Sequence, residues 1–266
     1  MHFYNANLMG ILNGKRGIVT GVVNHRSLAW AIAKLFITEG AEVGLTYYGE
    51  GKWVKRLAEK NNISFLKECD MTKDSDVQNV INEFTSDNSK IDFVVHAIAY
   101  ADGEELKGGV INTSMDGFNK ALDTSVYSLI NLCHHAKPYL SDNASIISLS
   151  YLGSERVCVG YNLMGIAKAA LETTAKYLAA DLGPQGVRVN VISAGPVRTL
   201  AGYGLPNFSE MLDQRAKLSP LRTGINHEDV ANAALYYVSD MSTAVTGDKM
   251  YVDAGYNIMG SWSEVS

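Results

Sequence analysis

Residues 16–47 read RGIVTGVVNHRSLAWAIAKLFITEGAEVGLTY, and their periodicity describes a strand–helix–strand unit. Arg16–Thr20 is short and β-rich and is followed by Gly21. Leu28, Ile32, Leu35 and Phe36 then recur at helical spacing, with Gly40 as a stop signal. Glu42–Tyr47 is the second strand. The same alternation continues. Ile63–Cys69 is a third strand, and Val77, Val80, Ile81 and Phe84 mark the helix after it. Ile91–His96, Ala144–Ser150, Val187–Ile192 and Lys249–Val252 complete seven strands, with a long Ala-rich helix over about Tyr161–Leu182.

Strands separated by helices imply right-handed crossovers and a parallel sheet. Strands apolar on both faces fit a sheet covered on both sides. The expectation is an α/β fold: one doubly wound, Rossmann-like domain over 1–266 with a mostly parallel seven-stranded sheet. Ligands of such a sheet sit beyond the carboxyl ends of the strands, so the segments after Thr20, Cys69, His96, Ser150 and Ile192 matter most. Gly195–Pro206 is irregular, and Asn207–Lys217 is a short helix candidate.

The chain has 266 residues, 47% hydrophobic and 19% charged, enough for a large core without disulfides. A formal charge of −5 gives no basic field for nucleic acid. Cys69, Cys133 and Cys158 have neither zinc nor CxxC spacing and read as reduced thiols. No basic-then-apolar leader and no membrane-length apolar run is present, which places the protein in the cytoplasm. His25, His96, His134, His135 and His227 have no matched metal-ligand spacing and read as structural, so no metal site is expected.

The turn from Gly21 to Ser27 and Leu28 joins a strand to a helix, the arrangement that sets backbone N–H groups against a pyrophosphate. GxGxxG is absent, and Ser27 stands near where a later glycine is expected, with a hydroxyl able to serve a phosphate. Asp70 after the third strand suits an adenine amino group; it also suits the start of the next helix, alongside Thr72. Small residues after His96 let a ribose and nicotinamide approach the backbone. After the second strand, Thr46-Tyr47-Tyr48-Gly49-Glu50 offers no Arg or Lys for a 2′-phosphate before Lys52, which favours NADH over NADPH.

Tyr161 and Lys168 lie seven residues apart, close to two helical turns, and so share a face. A neighbouring ammonium is expected to lower a phenol's pKa, and the pair can hold an oxyanion and supply a proton. A packed tyrosine with a snorkelling lysine gives the same spacing.

Three runs decide between these: Leu149-Ser150-Tyr151-Leu152-Gly153, Tyr161-Asn162-Leu163-Met164-Gly165-Ile166-Ala167-Lys168, and Arg188 through Gly195-Pro196-Val197-Arg198-Thr199-Leu200-Ala201. They resemble bacterial enoyl-acyl carrier protein reductases, a divergent branch of the short-chain dehydrogenase/reductases, over about Gly14–Gly255. Their mark is Y-x6-K; ordinary short-chain dehydrogenases use Y-x3-K, and that earlier position is read here as Met164. The resemblance implies reduction of an enoyl thioester carried on acyl carrier protein, with NADH, in a homotetramer. Tyr161 would bond the enolate oxygen, Lys168 the nicotinamide ribose, and Tyr151 would assist. Gly21, Ser27 and Leu28 would hold the pyrophosphate, Tyr48, Asp70 and Met71 the adenosine end, and Ile98 the nicotinamide. Val197, Arg198, Thr199, Leu200 and Ala201 would close over the cofactor. Ala101, Met164, Ala201, Phe208 and Met211 would line the substrate site, with a lid over about 197–218. The lid helix reads Asn207-Phe208-Ser209-Glu210-Met211, without the basic residues the family often carries there; Arg198, Arg215, Lys217 and Arg222 are candidates for a substitute patch. A ketoreductase on the same fold, and a dinucleotide-binding sensor without turnover, are the competing readings.

Overall fold

The computed structural model describes residues 10–199 and 208–260. Seven parallel strands form one sheet: β1 (Arg16–Val19), β2 (Glu42–Tyr47), β3 (Leu66–Glu68), β4 (Ile91–His96), β5 (Leu140–Ser150), β6 (Arg188–Ala194) and β7 (Lys249–Val252). Their order is β3-β2-β1-β4-β5-β6-β7, so the direction of winding reverses between β1 and β4, where a doubly wound sheet opens its crevice.

Alternate residues of each strand serve opposite faces. Val19, Phe93, Val95, Ile147 and Ile192 join α1 (Leu28–Thr38) and α8 (His227–Val238) in one core. Ile18, Val94, Ile146, Val189 and Val191 meet α3 (Asp74–Phe84), α5 (Ser128–Ala136) and α6 (Asn162–Leu182) in the other. Helix α1 buries Ala29, Ile32, Ala33 and Phe36 at i, i+3, i+4, i+7 spacing, and the Phe36 ring meets Phe93 edge-on at 5.1 Å. Burying such a side chain contributes about 1.5–3 kcal/mol.

Several boundaries differ from the sequence reading. The third strand is only Leu66–Glu68, because it is an edge strand paired on one side, with β2. The fifth begins at Leu140 and the sixth runs to Ala194. Helix α2 (Lys52–Lys60) was not foreseen: its buried contacts reduce to Val54 and Ala58, too few to stand out. Met115–Ala136 is α4 (Met115–Leu122), a π-helical turn over Asp123–Tyr127, and α5. Helix α7 (Phe208–Leu218) matches the short helix expected after the irregular segment. No helix among the described residues is long and apolar enough to cross a membrane.

Candidate active site

The crevice at the β1–β4 reversal is built from backbone. Thr20 clips the two strand exits together: its Oγ1 donates to the Val95 carbonyl at 3.1 Å and accepts from Ala97 N at 3.3 Å. Gly21 follows with φ +81°, and an added Cβ would lie 2.1 Å from the Ala97 carbonyl oxygen. Only glycine fits there. Ser27 ends the turn as N-cap of α1, and its Oγ accepts from Val23 N and Asn24 N, both at 3.0 Å. The hydroxyl therefore shapes the turn from within and keeps its own proton to donate. The first N–H groups of a helix lack partners inside it, so α1 turns an anion-binding end toward this crevice. That glycine cradle and helix end fit the diphosphate of a dinucleotide.

Asp70 follows β3, and its Oδ1 accepts from Thr72 N at 3.1 Å and Thr72 Oγ1 at 2.7 Å. Partial burial pushes its pKa up, but these bonds and the Lys73 ammonium outweigh that and hold it below the usual carboxylate range. Asp70 thus closes the turn before α3, with its other oxygen 3.7 Å from the Lys73 ammonium. The Met71 side chain is buried in the core, so only its backbone can face a ligand. Tyr48 is exposed after β2.

Beside the crevice lies a cavity of about 440 Å³. It brings together eleven of the residues singled out in the sequence: Leu28, Ile98, Ala101, Tyr151, Tyr161, Met164, Lys168, Val197, Thr199, Phe208 and Met211. Arg198 is exposed and does not line it, and Leu200 and Ala201 lie outside the described residues. Ser150 ends β5 and Tyr161 caps α6. The Tyr161 ring rests on Gly153, where an added Cβ would sit 2.4 Å from Tyr161 Cδ1, and meets the Tyr151 ring at 4.8 Å and 68°. The lysine of Y-x3-K would fall on Gly165, not on its neighbour Met164. A Cβ at Gly165 would lie 2.7 Å from the Gly153 carbonyl oxygen, so the shorter spacing has no room for a lysine here.

Lys168 is buried, and its Nζ donates to the Leu149 carbonyl at 2.7 Å. Burial lowers its pKa to about 8, against an upward pull from Glu172. The expectation that Lys168 lowers the pKa of Tyr161 is overturned. Burial of the phenol, reinforced by Tyr151, Cys158 and Glu172, raises it well above its ordinary value. Tyr161 is a neutral hydrogen-bond donor, and Tyr151, raised by burial against the pull of Arg215, is another.

His96 is structural, as expected. Its ring lies between Ser148 Oγ (3.0 Å) and Ser128 Oγ (2.8 Å). Burial, with the nearby Lys168 charge, lowers its pKa to about 3 and keeps it neutral. Cys69 and Cys133 are buried thiols, both pushed up to about 12 by burial. Arg215 does not belong to a surface patch. It turns inward over the Tyr256 ring at 3.8 Å, with Tyr151 Oη at 3.5 Å.

Sequence reasoning missed Glu172. Its Oε1 accepts from Ser150 Oγ and Ser154 Oγ, both at 2.6 Å, and its Oε2 from Lys249 Nζ at 3.0 Å. Its place four residues after Lys168, on the same helix face, was the available signal.

The family model for enoyl-(acyl carrier protein) reductase matches residues 21–257. The NADH-dependent enoyl-acyl-carrier-protein reductase FabI of Rickettsia felis is 45% identical over 254 residues, covering 95% of this chain and 98% of its own. The crystal structure of the NADH enoyl-acyl-carrier-protein reductase of Aquifex aeolicus superposes with a TM-score of 0.91 at 45% identity, covering 95% of this chain and all of that one. The Anaplasma phagocytophilum reductase, solved in complex with NAD, gives 0.91 at 41% identity and 97% coverage of both chains. A full-length match at this identity, on a fold whose tyrosine and lysine open into one cavity beside the dinucleotide crevice, leaves a single assignment: the chain belongs to the enoyl-acyl carrier protein reductase family.

Proposed function

We propose that this chain reduces the trans-2 double bond of enoyl-acyl carrier protein thioesters with NADH, the last reductive step of fatty-acid chain elongation. The observation that carries the reading is the joint opening of Tyr161 and Lys168 into one apolar cavity next to the β1–β4 crevice, at the spacing the family uses.

The dinucleotide, when bound, supplies the hydride for the substrate β-carbon. Negative charge then collects on the thioester oxygen. Tyr161, neutral and fixed against Gly153 and Tyr151, aims its hydroxyl at that oxygen and stabilises the transition state more than the ground state. Lys168 is held by the Leu149 carbonyl and keeps its remaining protons for the nicotinamide ribose hydroxyls. Tyr151 stands beside Tyr161 to position the thioester or deliver a proton. Gly21, Ser27 and Leu28 hold the diphosphate. Tyr48, Asp70 and Met71, the last through its backbone, serve the adenosine end, and Ile98, Val197, Arg198, Thr199, Leu200 and Ala201 enclose the nicotinamide half. Ala101, Met164, Ala201, Phe208 and Met211 receive the acyl chain, with about 197–218 as the lid. Glu50 is exposed after β2 with no cation before Lys52, which favours NADH over NADPH. Acyl carrier protein delivers the substrate, and the working form is a cytoplasmic homotetramer.

The test is loss of NADH absorbance on adding a trans-2-enoyl thioester, with a 3-oxoacyl thioester in parallel. Oxidation by the enoyl substrate alone is expected. Oxidation by the oxoacyl substrate alone would make the chain a ketoreductase, and none with either, despite NADH binding, a sensor.

A further inference from the structure

We propose that Glu172 is a positioning residue of this active site: its buried carboxylate clamps the Ser150–Ser154 segment and faces the Lys168 ammonium from one helical turn away. The inference rests on the roles given to Tyr161 and Lys168 above.

The clamp is legible in the bonds. Ser150 ends β5 and Ser154 ends the turn that follows it, and both hydroxyls donate to the same carboxylate oxygen at 2.6 Å. Between them lie Tyr151 and Gly153. The Tyr161 ring is seated on Gly153 and edge-on to Tyr151, so the two serines fix both ends of the shelf on which that phenol rests. The second oxygen takes Lys249 from β7 at 3.0 Å. Lys249 also pairs with Glu155, which accepts from Tyr251 at 2.6 Å. The Glu172 side chain is only 11% exposed, and a carboxylate is expensive to bury without partners; here the partners tie β5, β7 and the turn to the helix that carries Lys168.

The charge has its own consequence. Lys168 is buried, and the groups facing it are Glu172 on its own helix, the Leu149 carbonyl from β5 and His96 from β4. His96 is neutral above about pH 3, and Tyr151 and Tyr161 are neutral phenols. Glu172 is the one group among these whose charge favours the ammonium, while Lys249, Tyr161 and Tyr251 face Glu172 in turn. Losing that charge lowers the pH at which Lys168 gives up its proton.

Two variants separate clamp from charge. Glu172→Gln keeps a carbonyl oxygen for the serines and removes the charge. Its alkaline limb in kcat/KM against pH is expected to move acidward by about one unit. Ser150→Ala/Ser154→Ala loosens the shelf and keeps the charge, lowering kcat about tenfold with the limb in place. Glu172→Asp restores the limb and, being shorter, not the whole of kcat. Retained secondary structure is checked by circular dichroism, and if Glu172→Gln does not fold, Glu172→Asp and the serine pair carry the test. An unmoved limb in Glu172→Gln, or wild-type kcat in the serine pair, overturns the proposal. Wild type turns over the enoyl thioester in the same assay, so failure of the underlying assignment shows in the wild type and failure of this inference only in the variants.

Discussion

The two halves of the site, the β1–β4 crevice and the β5–α6 exit, are made of different materials. The first is backbone: the Thr20 clip, Gly21 pressed on the Ala97 carbonyl, and a turn stitched by Ser27. The second is buried side chains: Tyr161, Tyr151, Lys168 and Glu172, each fixed by named partners. A backbone surface admits many sequences provided the chain path is kept. A side-chain site admits few, because its chemistry resides in particular atoms. The first half should therefore respond to substitution mainly through stability and cofactor affinity, and the second through turnover.

The largest expected break comes from Tyr161→Phe. Loss of one donor to a developing oxyanion typically costs about 10²–10³ in rate, and that loss should fall on kcat in steady-state assays. Lys168→Met should cost about ten- to a hundredfold in NADH affinity, from the loss of a charged hydrogen bond, read by fluorescence titration.

The same variant sharpens the comparison through stability. Burial lowers the Lys168 pKa from 10.5 to about 8. Between those values the unfolded chain binds more protons than the folded one, so this residue's contribution to stability rises with pH. Below about pH 8 both states hold the proton and the full cost of burying the cation is present. Lys168→Met is therefore expected to be more stable than wild type at pH 7, by on the order of 1–3 kcal/mol, and the gain should shrink as pH rises toward 10. Thermal unfolding at pH 7 and pH 9.5 checks both the sign and the window. In wild type, NADH affinity should weaken as pH rises through about 8.

In the crevice, Gly21→Ala must either strain a positive φ or push back the Ala97 carbonyl. A loss of about 1–3 kcal/mol should show as a lower Tm together with weaker NADH binding. Ser27→Ala removes the acceptor for two backbone N–H groups. About 1 kcal/mol is at stake, or roughly fivefold in KM for NADH, the smallest effect of the set.

The same contrast governs what could be read from the sequence. A strand that carries apolar residues on both faces, such as Ile91–His96, was visible with its boundaries. The edge strand at Leu66–Glu68 and the helix at Lys52–Lys60 were not, since each shows the core too few side chains to make a pattern. At the site, spacing put Tyr161 and Lys168 on one helix face but fitted a packed pair as well, and the resemblance of the three runs around them singled them out. The Gly21–Ser27 turn gave little, because Ser27 replaces a motif glycine with a hydroxyl that stitches the turn from inside. Glu172 was hidden for a third reason. An acid on a long helix reads as solvent-facing, and only the fold brings Ser150, Ser154 and Lys249 from three other segments to cover it. Desolvation was likewise invisible: the pairing rule alone placed the Tyr161 pKa too low, and burial reversed it.

The most direct test of the whole account is a single-turnover measurement of NADH oxidation by a trans-2-enoyl thioester, in wild type and Tyr161→Phe, with NADH dissociation constants measured alongside. The expected result is a rate constant lower by about 10²–10³ in the variant with NADH binding preserved. An unchanged rate constant, or a loss accounted for by weaker NADH binding, would contradict the assignment of Tyr161 as the group that stabilises the reacting oxygen.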